Sequence, residues 1–380
     1  MQNNISLLVG LKNNLDYNKH FYETTRKLYP EVELCFVSYG SKDGTHEWLD
    51  SLADKNLNYY YSTEDKTFSD TFNKAAELAT KDFVAYLHND IVLAPGFLEN
   101  IEKHVGARRV VSYTTIEPPI FAGHARPGKI IYDLGVDLKG FDLNNLYEFA
   151  AARQLADNNK VEPGITFFMC MPRETLIEIG GMDNLFNPMF CEDDDLIRRF
   201  ELLGFECFTS LDAICYHFVS KTSRFSEEYQ NRTMQIEVIS RRNFARKWGS
   251  YVKGPKYNIA IVVTNATLPI VDALEPLCDR LYIDDAMGII QSHYLDKEQP
   301  NTKYDLSKRV LNAQHNDPQG ENDIVVTLDG RQLTNNSLNL IINLPLIIQE
   351  SGEIGDFELG NLKITINSLT EYQNDLIYLK

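Results

Sequence analysis

Nowhere in the 380 residues does an apolar run approach the roughly 20 positions that a membrane-spanning helix needs. The opening MQNNISLLVGLKNNLDY has only the short run Ile5–Gly10, without a basic segment before it or a small-residue cleavage site after it, so it reads as a strand and not as a signal peptide. Cysteine is sparse. Cys35, Cys170, Cys191, Cys207, Cys215 and Cys278 make no Cys-x-x-Cys pair, which argues against a disulfide scaffold or a thiolate zinc site. Buried thiols in a reducing, cytoplasmic setting are the expectation. Positive charge is also in short supply: 37 Lys and Arg against 54 Asp and Glu leave a net charge of −17, which disfavours nucleic acid and anionic lipid as partners. The one basic stretch, SRRNFARKWG (240–249), carries Phe244 and Trp248 at helical spacing and reads equally as an amphipathic helix. Aromatic residues, by contrast, are plentiful. With 20 Tyr and 20 Phe the chain is expected to fold throughout.

Period-2 and period-3.6 segments alternate over the first hundred residues. Strands are expected at 5–10, 32–39, 57–62 and 83–88, with helices at 17–28, around EWLDSLA and at 68–80, a pattern that predicts a mainly parallel, doubly wound α/β sheet. Its ligands would bind beyond the carboxyl ends of the strands, where GSKDGT (40–45) and HND (88–90) fall. Residues 112–160, rich in Pro and Gly near their start, read as an excursion over that rim. GITFFMCM (164–171) resumes as a buried strand, PRETLIEIG as a helix, and ECFTSLDAICYHF (206–218) as strand and turn. The basic helix around 241–248 appears as the close of a domain spanning 1–250, with GSYVKGPK (249–256) as linker. A smaller α/β domain at 257–380 follows, with strands at 258–265, 280–284 and 323–329 and helical stretches near 268–277, 303–313 and 333–349.

Three polar signals stand at strand or helix ends. Asp90 closes YLHND, where a carboxylate can ligate Mg2+ or Mn2+ or simply cap the following turn. CEDDDLIRR gathers four acids that the helix dipole and an Asp195–Arg199 pair can partly stabilise, and that can also present a general base. His217 ends an apolar strand as a core histidine or a third ligand.

In their order, GSKDGT, LHND, PRETLIEIGGMDNLF, EDDDLIRR and YHF resemble the family 2 glycosyltransferases of the Rossmann-like GT-A fold over about residues 4–250. The resemblance implies a metal-dependent, inverting transfer of a sugar from a nucleotide-diphosphate sugar to an acceptor hydroxyl. Asp90 and His217 would be metal ligands for Mn2+ or Mg2+, and Asp193 the base, with Glu192 orienting it or the acceptor. Gly10, Lys12, Ser38, Tyr39, His88 and Asn89 would face the donor. Two positions depart from the family pattern: Ser38–Tyr39 stand where acids usually precede Gly-Ser, and His88 replaces the first acid of the Asp-x-Asp element. A degenerate module that binds a nucleotide sugar or glycan without turnover is therefore the alternative. A sugar nucleotidyltransferase is a poorer match, because GLKNNLDY lacks a Gly- and basic-rich loop. The C-terminal domain is expected to serve oligomerisation or acceptor docking.

Overall fold

The run that opens the chain is a central strand. The computed structural model describes residues 4–121, 123, 125–219, 231–316, 318 and 322–379. It divides into two units: the first runs to Thr233 and recruits the chain's end from Tyr378, and the second spans Met234–Ile377.

In the first unit β1 (Ile5–Leu11), β2 (Glu33–Tyr39), β3 (Leu57–Ser62) and β4 (Phe83–His88) are mutually parallel neighbours in the order β3-β2-β1-β4. They are joined by α1 (Leu15–Leu28), α2 (Thr45–Ser51) and α3 (Phe68–Leu78). Both faces of such a sheet are covered by helices, so β1 and β2 read as nearly unbroken apolar runs and are buried along almost their whole length. A capping box starts α3: Thr67 accepts from the Asp70 N–H and the Asp70 carboxylate accepts from the Thr67 N–H, an arrangement worth about 1 kcal/mol.

The chain continues through β5 (Ile91–Leu93), α4 (Phe97–Glu102), β6 (Arg109–Glu117), β7 (Lys129–Ile131), α5 (Leu143–Ala156), β8 (Val161–Pro163), β9 (Met169–Pro172), α6 (Arg173–Glu178), α7 (Glu192–Leu202) and β10 (Glu206–His217). Among the described residues the sheet reads β3-β2-β1-β4-β9-β6-β10-β5, with β9 antiparallel between β4 and β6, and β7 and β8 attached at β6 and β10. The strand expected at 164–171 is thus shorter and later. The excursion starts only after Glu117, because β6 occupies 109–117, and it contains the regular helix α5. The stretch 206–218 is one strand whose register against β6 slips between Ser210 and Ile214, a bulge that takes the place of the expected turn.

The second unit begins with α8 (Thr233–Trp248), not with the linker-like segment after it. Its Ala245 packs in the second core, and Arg242 and Arg246 bond Glu298 and Glu275, so the helix expected to close the first domain belongs to the second. The sheet there comprises β11 (Ile259–Thr264), β12 (Arg280–Ile283), β13 (Val310–Asn312), β14 (Ile324–Asp329), β15 (Gly355–Leu359) and β16 (Leu362–Ile366), ordered β13-β12-β11-β14-β16-β15. α9 (Leu268–Leu274), α10 (Ile289–Glu298) and α11 (Asn335–Ser351) accompany it. The helical stretch expected at 303–313 is instead a single 3-10 turn and the edge strand β13. Among the described residues no helix is long and apolar enough to cross a membrane.

Candidate functional site

Strand pairing, rather than closeness in sequence, assembles the site. Gly10 on β1 lies opposite His88 on β4, and the antiparallel pairing of β5 with β10 sets Ile91 against His217. Because the Phe218 N–H donates to the Asp90 carbonyl at 3.0 Å, His217 is drawn to Asp90 across 127 residues of chain. His217 Nε2 is 3.5 Å and His88 Nδ1 3.8 Å from Asp90 Oδ1. One ligand atom from each of the three residues lies within 4.8 Å of the others. This is a donor set that could hold a divalent cation.

A residue that the sequence reading passed over completes this cluster. Glu117, at the end of β6 beside β10, stands 3.2 Å from His217 Nδ1, and its carboxylate also meets Arg126 and, at 3.4 Å, Lys129. With Nδ1 engaged by Glu117, His217 turns Nε2 toward Asp90. Burial alone would raise the Glu117 carboxyl, but His217, Arg126 and Lys129 outweigh it and hold it at about 2. Burial would likewise lower His217, yet the carboxylates of Asp90 and Glu117 carry it up to about 9. His88 goes the other way. Its ring sits 4.8 Å from Phe167, 5.0 Å from Phe168 and 5.8 Å from Phe68, and this burial, reinforced by His217 and opposed by Asp90, brings it down to about 4. Two imidazoles thus share one carboxylate, and their surroundings push them in opposite directions.

A cavity opens at the His88 and Asp90 side of this cluster. Gly10, Lys12, Tyr39, His88, Asn89 and Asp90 line it, so six residues expected to face a ligand or metal do gather at one rim. Thr67, Phe68, Phe72, Pro188 and Met189, which the sequence did not single out, form the opposite wall. Gly10 is required where it stands: a Cβ there would come within 2.9 Å of Thr71 Cγ2 on α3. The Lys12 ammonium reaches the Tyr39 carbonyl at 3.1 Å and pairs with Asp65, tying the ends of β1 and β2 to the loop before α3. Asn89, 2% exposed, donates to Asn18 Oδ1 at 2.7 Å. Tyr39 is half-buried beside Tyr60, with ring centroids 5.7 Å apart. Ser38 is placed differently. It is fully buried and bonds Ser41 Oγ at 2.8 Å and His46 Nε2 at 3.1 Å, so it shapes the GSKDGT turn instead of facing the cavity.

The acidic box opens α7. Phe190 and Cys191 before it both take left-handed backbone (φ 77° and 67°), a conformation costing about 1–3 kcal/mol per residue and typical of functional turns. Asp195 and Arg199 are wholly buried and paired at 2.9 Å, and Arg199 continues to the carbonyls of Ile179 and Gly181, which clamps α7 onto the turn after α6. Of the other three acids Asp194 is exposed, which leaves Glu192 and Asp193 for other work. Glu192 is 6% exposed with no hydrogen bond to Oε2 among the described residues, and burial beside Asp193 pushes its carboxyl well above the usual range. Asp193 is pushed up to about 7 by burial and by Asp194. A carboxyl poised there can exchange a proton at neutral pH.

Residues 6–178 match the family described as Glycosyl transferase family 2. Solved structures are similar to this chain in outline. They include a mannosyltransferase from Pyrobaculum calidifontis in complex with GDP-Man and Mn2+ (18% identity over 64% of this chain and 64% of that one, TM-score 0.43) and GalNAc-T7 with UDP, GalNAc and Mn2+ (12%, 65% and 48%, TM-score 0.47). A third is S. aureus TarS 1-349 (15%, 64% and 73%, TM-score 0.40). The chain spans less than two thirds of the length of the first two. No curated protein matches its sequence. The mostly parallel β3-β2-β1-β4 core of this α/β unit thus lies in the segment, residues 6–178, that matches glycosyl transferase family 2.

Proposed function

We propose that this chain is a metal-dependent, inverting glycosyltransferase that moves a sugar from a nucleotide-diphosphate donor to an acceptor hydroxyl. The observation that carries the reading is the cluster of His88, Asp90 and His217, the first two of which also line a cavity, in a unit whose residues 6–178 match family 2. Donor and cation are the same classes as the GDP-Man with Mn2+ and UDP with Mn2+ found in the similar structures. A divalent cation, Mn2+ or Mg2+, would neutralise charge on the departing diphosphate when bound. Asp90 and His217 would hold it, and Gly10, Lys12, Tyr39, His88 and Asn89 would face the donor. Asp193 takes the acceptor's proton, and Glu192, whose carboxyl burial pushes up, orients the acceptor. Direct displacement with one base and no enzyme nucleophile inverts the anomeric carbon.

The C-terminal unit would dock the acceptor or join copies of the chain, with a cytoplasmic setting supported by six cysteines that form no disulfide. Deleting 234–377 while following hydrolytic and acceptor-dependent turnover distinguishes docking from a purely structural part. The test of the main reading is release of nucleoside diphosphate from a panel of sugar nucleotides with Mn2+ present or chelated. Metal-dependent release supports it, and its absence across the panel sinks it. One observation favours a second reading, a module that binds donor or glycan without turnover: His88 stands where the family carries an acid. Donor binding without any hydrolysis would establish that alternative.

A further inference from the structure

Helix α3 supplies one wall of the cavity and α7 carries the acidic box, and the chain that leads into α7 is fastened to both helices. We infer that Asn73 on α3 is a positioning residue that acts through the segment 179–191 to set the Asp193 carboxyl against a donor seated in the cavity. This rests on the roles proposed above for the cavity and for Asp193, and adds what fixes their separation.

One side of α3 lines the cavity with Phe68, Thr71 and Phe72. Polar groups at its cap Thr67 and at Asp70 and Asn73 recur every three positions, so they stand in a row along the helix. Each of them reaches the segment that leads to the acids. The Asn73 amide donates to the Met182 carbonyl at 2.9 Å and accepts from the Met182 N–H at 2.8 Å, a two-point bond across 109 residues of chain. The Asn184 amide donates to Asp70 Oδ1 at 3.2 Å, and the Thr67 hydroxyl lies 2.8 Å from Asn187 Oδ1. Gly181 is fitted to this contact: its φ is 69°, and a Cβ there would clash with the Asn73 amide. From its other end the segment is held by α7 itself, because Arg199, paired with Asp195, donates to the carbonyls of Ile179 and Gly181. After Asn187 the chain passes Pro188 and Met189, which line the cavity, and then Phe190 and Cys191 with their left-handed backbone, and enters Glu192 and Asp193. The row on α3 thus registers the acids against the cavity. Within that row Asn73 is the member that neither lines the cavity nor caps the helix.

The test uses the full chain and begins with hydrogen–deuterium exchange, which needs no substrate. Asn73→Ala should speed exchange over 184–193 by about tenfold and leave β1 and β2 unchanged. With the sugar nucleotide that the natural protein cleaves, the variant's acceptor-dependent kcat should fall about 10–100-fold while the donor KM stays within about twofold. A residue that acts through Asp193 has nothing left to position once that carboxyl is gone. Added to Asp193→Asn, Asn73→Ala should therefore cost less than about twofold, whereas a general loosening would cost the same in both backgrounds. Circular dichroism confirms folding, and should Asn73→Ala not fold, Asn184→Ala, which gives up a single bond to α3, takes its place with smaller shifts in the same directions. Unchanged exchange over 184–193, a donor KM that rises as kcat falls, or an equal loss in the Asp193→Asn background overturns the inference. The two readings fail separately. A natural protein that cleaves no sugar nucleotide removes the transferase reading, and exchange over 184–193 then decides whether Asn73 holds the acids in place. A working transferase in which Asn73→Ala keeps full transfer removes this inference alone.

Discussion

Each unit carries a parallel sheet whose central strand has neighbours on both sides, β1 between β2 and β4 in the first and β11 between β12 and β14 in the second. Their rims differ in how the polar groups are spent. In the second unit the rim groups bond one another: the N–H groups of Asn265 and Ala266 donate to Asp284 at 2.7 and 3.0 Å, the Asn265 amide donates to Asp329 at 3.0 Å, and Arg331 pairs with Asp329 at 2.9 Å. In the first unit an imidazole nitrogen of His88, which lines the cavity, has no hydrogen bond among the described residues, and neither does one oxygen of Glu192. The same topology thus supports a self-satisfied rim and an unsatisfied one. An unsatisfied buried polar group costs about 1–3 kcal/mol, and such a cost persists where a ligand relieves it.

The sharpest way to break that contrast is to remove the carboxyl proposed as proton acceptor. Asp193→Asn should lower transfer by about 10²–10⁴-fold while calorimetry shows donor binding preserved. Because burial holds the Asp193 carboxyl up to about 7, it carries a proton below that pH and can accept one only above it. Turnover of the natural protein should therefore rise as pH passes through about 7, and that limb should vanish in the variant. Near-normal turnover by Asp193→Asn would take the role of base away from α7.

The second unit's buried charges offer the complementary break. Glu275, wholly buried, receives Arg246, Arg309 and the Tyr294 hydroxyl, and Arg246 goes on to Glu298. Glu275→Ala should destabilise this unit by about 3–5 kcal/mol in denaturant titration, since it leaves the buried Arg309 guanidinium without its carboxylate and takes one of two from Arg246. Metal titration of the first unit should be unaffected. Burial would raise the Glu275 carboxyl, but Arg309 and Arg246 hold it at about 2 against an ordinary 4.5. A depressed carboxyl stabilises the fold above its ordinary value, so that contribution should fade as pH falls from about 4.5 toward 2. A second unit whose acid unfolding is unchanged in Glu275→Ala would contradict this.

A smaller effect is expected at Glu117, where Gln keeps the shape and removes the charge: about 10–100-fold weaker metal binding, read by calorimetry. Glu117 also shows why the sequence was legible only in part. β1 to β4 follow from apolar runs and turn residues within a few positions of each other, and Asp90, His217 and the acidic box stand in a recognisable order. Glu117 lies before Pro118–Pro119 in a stretch that reads as loop, and its meaning depends on β6 pairing with β10, almost a hundred residues on. The same limit moved α8. GSYVKGPK has the composition of a linker, whereas the partners of Arg246 and Arg242 are Glu275 and Glu298, contacts that no local pattern carries. Ser38 illustrates a related limit: its position suits a ligand, but His46, the second residue of α2, bonds its hydroxyl.

The least effect should come from the second rim, and its smallness is what gives the comparison content. Arg331 is exposed and Asp329 half-buried near the surface, where attraction in water is offset by the ordering of two side chains. Asp329→Asn keeps an acceptor for the Asn265 amide and removes only the charge. Thermal unfolding, metal titration and sugar-nucleotide hydrolysis should all match the natural protein. If hydrolysis or nucleotide binding fell in this variant, the self-satisfied rim would be a ligand site after all, and partner-free nitrogens would no longer separate the working rim from the structural one.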